Sequence, residues 1–503
     1  MGLEIEIKLD VDPASCAAVE ADSLLASEPY SVAQQITVYY DTAERAIECA
    51  GYRLRVRSVD GGFVQTVKPI SDSAGLFGRE EWEYHVVSAE PDMSALGAPD
   101  LMKLAKTRQL AALVPISTCN VERRSWLVRH GTGHIQLDFD RGSIDANGHS
   151  VPLAELEMEL QSGDPKDLVG LAVEFAQRAP VRIGVLTKAE RGLLLANGEL
   201  GRVVKTARVQ ITSAMSVGES FTAIVHACLK HYRLNEPSVI ERRDASALHQ
   251  CRVAMRRLRS AFSLFKPVIS DPGCEALRLD LKWFTEQLGE ARNLDVYLER
   301  KLGAEERREV NQRRERAYDD AIAAMNEPRF RSLLLKLIGW SMLGAWRAGE
   351  GAQRPIRAFA LKRLDRLWRS IADAGTELAA MDEQCRHELR IQFKKLRYAT
   401  EFLRDLFPKS AKKRRKFAGA VEALQEALGG LNDLATHRAM GLASEPEWLI
   451  LPSREPEFLQ AADRALHTLA GVGRYWRKAA GKRSKPRKVS LRSAHAGALE
   501  ATP

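Results

Sequence analysis

Polar and apolar residues alternate with a period of two along the first 195 or so residues and with a period of 3.6 from about residue 215 onward. That change of rhythm limits what the chain can fold into more than any single motif does. The segments Glu4–Lys8, Arg53–Arg57, Phe63–Lys68, Arg79–Tyr84, Glu122–Val128, Ile135–Asp140 and Leu153–Leu160 all alternate, and turn signals such as Asp60-Gly61-Gly62 and Asn147-Gly148 separate them. Short strands at this spacing predict an antiparallel barrel, with helical insertions near 13–27, 100–112 and 165–178. The later part runs in long amphipathic segments of Leu, Ala, Arg and Glu almost to residue 480, which predicts a helical bundle. The expected organisation is an α+β domain at 1–200, a linker at 201–215, an all-α domain at 216–480, and a basic tail at 481–503. The tail has six basic residues against one Glu and few large apolar side chains, the composition of a disordered segment.

Charge divides the chain at the same place. Residues 1–200 hold 19 Lys/Arg and 30 Asp/Glu, a balance of −11; the totals of 75 and 66 leave 56 and 36, or +20, for residues 201–503. An acidic half joined to a basic half implies two jobs, and the basic half attracts a polyanion. The seven cysteines are scattered without a Cys-x-x-Cys pair, which points to free thiols in a reducing compartment. The first residues run directly into charged alternation without a signal peptide, and the most apolar stretch, Leu333–Trp346, is broken by Lys336. A cytoplasmic protein with no membrane partner is expected.

Residues two apart on a strand share a face. Glu4, Glu6 and Lys8 therefore share one, as do Arg53, Arg55 and Arg57; Thr66 and Lys68; Arg79, Glu81 and Glu83; Gln136, Asp138 and Asp140; and Glu155, Glu157 and Glu159. On one strand such a row is an ordinary solvated surface. Across the set, however, acids collect on some strands and cations on others, whereas a merely soluble surface interleaves the signs. Helices covering the apolar rows from outside would turn the charged rows into a water-filled tunnel. There carboxylates suit hard cations such as Mg²⁺, and Arg and Lys suit phosphate oxygens.

The ordered set Glu4-x-Glu6-x-Lys8, Leu54-Arg55-Val56-Arg57, Gln65-Thr66-Val67-Lys68, Arg79-Glu80-Glu81-Trp82-Glu83, Glu122-Arg123, Asp140-Arg141-Gly142, Glu155-Leu156-Glu157-Met158-Glu159-Leu160 and Lys188-Ala189-Glu190-Arg191-Gly192 resembles the CYTH family, the triphosphate tunnel metalloenzymes. The resemblance implies an eight-stranded antiparallel β tunnel that hydrolyses a triphosphate with Mg²⁺ or Mn²⁺. It implies that Glu4, Glu6, Glu157 and Glu159 hold metal with Asp140 and Glu155 nearby. It also implies that Lys8, Arg55, Arg57, Lys68, Arg79, Arg123 and Lys188 grip phosphates, and that Glu81 and Glu83 bind metal or orient those cations. Where the family often has Glu, this chain has Gln136.

In the second half, His249-x-x-Arg252-Val253-x-x-Arg256-Arg257-Leu258-Arg259 is matched 138 residues later by His387-x-x-Arg390-Ile391-x-x-Lys394-Lys395-Leu396-Arg397. Offsets of 0, 3, 7 and 10 fall within an arc of about 80° on a helix. His249, Arg252, Arg256 and Arg259 thus form one stripe, and His387, Arg390, Lys394 and Arg397 another. A further landmark follows each copy, Leu288-Gly289-Glu290-Ala291-Arg292-Asn293-Leu294-Asp295 and Leu428-Gly429-Gly430-Leu431-Asn432-Asp433. A duplicated order implies two similar helical units with facing stripes. The pattern resembles the CHAD family, which implies two pseudo-symmetric helical bundles that bind inorganic polyphosphate, with a place at polyphosphate granules; the histidines are read as partly protonated phosphate donors. Three other functions fit parts of the pattern: a non-catalytic polyphosphate scaffold, the same tunnel acting on ATP or thiamine triphosphate, and a nucleic-acid binder. The last lacks aromatic residues interleaved with the stripe.

Overall fold

The computed structural model describes residues 5–59, 61–70, 81–107, 109–110, 112–299, 301–373, 378–439 and 455–477, with the side chains of 373 and 432–439 outside that description. Glu4, Arg79 and the tail at 481–503 lie outside the described residues. Nine strands form one sheet: β1 (Glu6–Val11), β2 (Ser31–Thr42), β3 (Tyr52–Val59), β4 (Gly62–Pro69), β5 (Trp82–Val86), β6 (Leu113–His130), β7 (Gly133–Ala146), β8 (His149–Ser162) and β9 (Val181–Ile183). Their order is β5-β4-β3-β2-β6-β7-β8-β1-β9, with every neighbouring pair antiparallel. The ninth strand, beyond the eight expected, is three residues long, too short to reveal a period.

Alternation decides which side of the sheet is which. Ile7 and Leu9 on β1, Leu54 and Val56 on β3, Leu137 and Phe139 on β7, and Leu156 and Met158 on β8 are all buried. Helices cover these apolar rows. Pro165–Arg178 buries Leu168, Leu171, Ala172 and Phe175 and packs beside β1, β7 and β8. Lys188–Ala196 places Ala189 and Leu195 against Cys119, Val121 and Ile144, and Pro99–Lys106 places Leu101 against Leu54 and Val67. The charged rows are left facing inward. Gly142 belongs to a crossing so close that a Cβ there would lie 1.9 Å from the Asn120 carbonyl oxygen.

The helical part begins at Val217–Arg242, whose start is a reciprocal cap between Ser216 and Glu219. The helix Ala245–Ile269 follows, capped by the Asp244 side chain, which accepts from Ser246 N and Ala247 N. Pro272–Gln287, Gly289–Leu298, Ala304–Asn326 and Pro328–Leu343 come next. This part docks on the tunnel domain: a Cβ on Gly339 would lie 2.4 Å from Val169 Cγ1, and Arg331 Nε donates to the Ala176 carbonyl at 3.1 Å. Residues 203–212 have no regular structure but lie as a strap along Val217–Arg242, burying Val209 and Ile211. Asn235 holds the strap by accepting from Val204 N at 3.0 Å and donating to Val204 O at 2.9 Å.

Residues 1–360 with 398–406 form one compact unit; a second comprises 361–397 and 407 onward, with the helices Ala411–Ala439 and Glu455–Val472 packed together. In the second unit Asp365 accepts from Trp476 Nε1 at 2.9 Å and pairs with Arg474 and Arg477. All seven cysteines are free. Among the described residues no helix is long and apolar enough to cross a membrane.

Candidate active site

The inward rows enclose a cavity of about 250 Å³. Register builds its walls. Glu6 lies opposite Glu159 and Lys8 opposite Glu157 across β1 and β8; Gln136 lies opposite Glu159 and Asp138 opposite Glu157 across β7 and β8. Arg123 enters from β6. On the other side, β3 supplies Arg53, Arg55 and Arg57, β4 supplies Thr66 and Lys68, and Glu81 and Glu83 close the edge. Lys188 arrives from a helix. The sequence Thr187-Lys188-Ala189-Glu190 starts that helix with a reciprocal cap, which fixes the direction of Lys188.

The first wall is densely ion-paired. Glu157 accepts from Lys8, from Arg123 Nη2 at 2.7 Å and from Lys188 Nζ at 2.9 Å. Burial pushes the Glu157 carboxyl up, but Lys188, Lys8 and Arg123 outweigh it and hold it well below the usual carboxylate range. Arg123 also pairs with Asp138 at 2.6 Å and Asp140 at 2.7 Å, and Lys188 with Asp140 at 2.9 Å and Glu155 at 2.6 Å. Burial opposes charge on Lys188 and Lys8, yet the surrounding carboxylates raise both. The opposite wall is short of anions. Arg55 and Arg57 each have a buried Nε with no hydrogen-bond partner, and Arg57 is lowered to about 10 by Arg55, by burial and by Arg123. Lys68 pairs with Glu81, and Arg55 lies 3.9 Å from Glu83.

Asp140 and Glu155, expected beside the metal, do not line the cavity. Both are fully buried behind it, where they hold Arg123 and Lys188. They are positioning residues here because Lys188 covers them. Burial raises the Glu155 carboxyl against the opposing pull of Lys188 and Lys8. Arg53 and Asp138, which the alternation puts on the tunnel-facing rows but to which the family resemblance gives no role, also line the cavity. Gln136 donates to the Asp138 carboxylate at 3.1 and 3.2 Å.

Among the described residues, no group of three or more His, Cys, Asp or Glu is gathered closely enough to hold a metal ion. The pairing explains why: Glu157 and Asp138 are drawn toward cations. The donor chemistry nevertheless fits a divalent ion, since Glu6 and Glu159 face each other directly and Glu157 stands on the same row. Like charges opposite one another on a sheet are unfavourable unless a cation lies between them.

In the first unit, His249, Arg252 and Arg256 are half-buried along one face of Ala245–Ile269, and Arg259 is exposed. Arg252 has two buried nitrogens, Nε and Nη1, with no hydrogen-bond partner, and it is lowered to about 10 by burial, Arg256 and Arg292. Arg292 comes from the Leu288–Asp295 landmark and was not recognised as part of the stripe. Burial, Arg292, Arg256 and Arg252 push His249 below its ordinary value, with Glu299 pulling the other way. Asp295 is committed to structure, accepting from Arg314 Nε at 2.8 Å and Tyr318 OH at 2.9 Å. In the second unit, His387 and Arg397 are exposed and Arg390 and Lys394 half-buried on Glu383–Phe402. Arg397 donates to Gln425 at 3.0 Å. The side chains of Asn432 and Asp433 lie outside the described residues.

A family model for the CYTH domain matches residues 2–193, and one for the CHAD domain matches residues 223–441. An inorganic triphosphatase from Haemophilus influenzae is 29% identical over 198 residues, which are 38% of this chain and 54% of that protein. The chain thus spans about half the length of that relative. Among solved structures, a CHAD domain from the plant Ricinus communis is 28% identical, with a TM-score of 0.43, covering 54% of this chain and 92% of that one. PptA from Streptomyces chartreusis is 17% identical with a TM-score of 0.36, covering 51% and 99%.

Proposed function

This chain carries a CYTH domain followed by a CHAD domain, and from that premise we propose that the tunnel hydrolyses inorganic triphosphate while the helical part holds inorganic polyphosphate. One observation carries the tunnel reading. Arg55 and Arg57 face the cavity with unpartnered guanidinium nitrogens, across from a wall where Glu6 and Glu159 stand opposed. A phosphate chain with a divalent cation complements both walls at once. The triphosphatase relative supports the same reaction.

Arg53, Arg55, Arg57 and Lys68 would take the phosphate oxygens, where each planar guanidinium can make two charge-assisted bonds. An anion there also relieves the repulsion that lowers Arg57. Glu6 and Glu159, with Glu157, would hold Mg²⁺ or Mn²⁺, and a divalent cation bound there would supply charge neutralisation on the transferring phosphoryl group. Water attacks the terminal phosphorus in line. The new O–P bond forms as the bridging P–O bond breaks, pyrophosphate leaves, and the water proton passes to a tunnel carboxylate. Glu157, held well below the usual carboxylate range by Lys188, Lys8 and Arg123, is a weak base. Lys8, Arg123 and Lys188 stay fixed by their carboxylates and so orient the chain without reorganising.

The helical reading rests on Arg252, Arg256 and Arg292 beside His249, a cluster whose charge is mostly positive and in which Glu299 lies 4.0 Å from Arg292. His387, Arg390, Lys394 and Arg397 repeat the pattern, and we assign them the same ligand. Phosphate release should be measured from tripolyphosphate, pyrophosphate, ATP and thiamine triphosphate with Mg²⁺ or Mn²⁺. Tripolyphosphate is expected to be the best substrate, with turnover abolished by a chelator and by Glu6→Ala. Equal rates for wild type and Glu6→Ala would leave a scaffold in place of an enzyme. Competition between long polyphosphate and DNA at matched salt tests the helical part; preference for DNA would overturn that assignment.

A further inference from the structure

A second cavity, of about 640 Å³, lies between the strap at 203–212 and the helix Val217–Arg242, a volume within the range of small-molecule sites. Neither the tunnel chemistry nor the basic stripes use it. Thr222, His226, Lys230 and Leu234 recur every four residues along the helix and so stack on the face that lines it. Much of the rest of the lining is apolar, including Ala223, Ala227, Val209 and Met342.

Of two polar groups inside, Arg347 is hydrogen-bonded and His226 Nε2 is not. Arg347 Nη1 donates to Thr222 Oγ1 at 2.9 Å and to the Ser341 carbonyl at 3.1 Å, and burial still lowers this guanidinium below its ordinary value. His226 is 4% exposed, and its Nε2 is buried with no hydrogen-bond partner. Burial and the neighbouring Arg347 push that imidazole down to about 4, so at neutral pH it is an uncharged hydrogen-bonding group beside a cation. Of the lining cations, Arg208 is paired with Asp405 and Lys230 with Glu190, which leaves Lys205 and Arg347 beside Glu219. Lys230 is also part of the partition from the tunnel: its Nζ donates at 2.9 Å to Glu190, which lines the first cavity.

We propose that this cavity binds a small amphiphilic anion, its carboxylate or phosphate head at Arg347 and His226 and its aliphatic body along Ala223, Ala227 and Met342. The half-buried Arg347 guanidinium beside the unpartnered His226 Nε2 calls for an anionic head, and the apolar walls call for a body that inorganic phosphate lacks. A cationic amphiphile would fill the same space against the charge.

The full chain titrated by calorimetry with decanoate and with decyl phosphate should bind at least one of them saturably, at one molecule per chain. Decylamine and tripolyphosphate, run with the tunnel variant Glu6→Ala, should not compete. Arg347→Gln and the space-filling Ala227→Phe should each weaken binding about tenfold or more, while the His226 ring resonances shift when the anion is added to the wild-type chain. Which head binds more tightly separates a carboxylate ligand from a phosphate one. Absence of saturable binding by either anion, equal binding of decylamine, or binding that leaves the His226 resonances unmoved would overturn the proposal. Because binding is read without turnover, the outcome does not depend on whether the tunnel hydrolyses triphosphate.

Discussion

The tunnel wall built by β6, β7, β8 and β1 and the stripe on Ala245–Ile269 both present half-buried cations, yet they solve the electrostatic problem in opposite ways. In the tunnel, Lys8, Arg123 and Lys188 each touch two or more carboxylates and are held more firmly charged than in water. On the stripe, Arg252 and His249 are surrounded by other cations and are held less firmly charged. The first arrangement is neutralised within the protein; the second is left with an excess of positive charge. Arg57 belongs with the stripe although it lies in the tunnel, so each site keeps some unneutralised charge for an anion. Fixed pairs preserve geometry, whereas unpaired cations store affinity.

The largest test of this contrast is Lys188→Met. It leaves Asp140, Glu155 and Glu157 without their shared cation. Removing one partner of a buried ion cluster costs about 3–5 kcal/mol, readable by urea unfolding, and phosphate release should fall by about 100-fold to 1,000-fold. A variant of undiminished stability would show that the wall is not held by its pairs.

Acidification comes next. His226 and His231 are both lowered to about 4 by burial and nearby arginine, and His249 is lowered too. Between the ordinary value near 6.5 and those folded values, the unfolded chain binds protons that the folded chain refuses, so stability falls as pH drops through that window. By pH 5 the loss should be on the order of 2 kcal/mol for each of the two buried histidines. Asp140 and Glu157 are held below their ordinary values, so the stability they contribute survives until pH falls further still. Melting temperature followed from pH 7.5 to 5 should decline, with a weaker decline in His226→Phe. A flat profile would contradict the burial argument.

Arg57→Met asks whether an unpaired tunnel cation serves the ligand alone. KM for tripolyphosphate should rise about tenfold to 100-fold, the worth of one or two hydrogen bonds to charge, while the melting temperature holds or rises. A fall in stability without a change in KM would move Arg57 into the paired class. The smallest effect is expected for Arg252→Met. Relief of repulsion should raise stability by less than about 1 kcal/mol, and the salt dependence of polyphosphate binding should lose about 0.7 of a unit in slope. An unchanged slope would remove Arg252 from the ligand.

How far the site was legible follows from these same residues. Period two puts Glu6, Lys8, Arg55, Arg57, Asp138, Glu157 and Glu159 on one face, and they do line one cavity. It also puts Asp140 and Glu155 there, because alternation encodes which side a residue faces and not how deep along the tunnel it lies. Lys188 obeys no strand rule; only the motif around it marked it, and its direction comes from the Thr187–Glu190 cap. Arg292 escaped because it joins the stripe from another helix. The cavity under the strap left no periodic trace in residues 203–212, although Val209 and Ile211 hint that the segment is more than a tether.

The sequence by itself determined the two architectures, the inward turn of the charged rows and the basic faces of both repeated helices, since each depends only on the repeat of the backbone and on hiding apolar side chains. Tertiary structure alone decided which charges neutralise one another and which are left for a ligand. Coulomb energy depends on distances between strands and helices far apart in the chain, and on how much water remains between them.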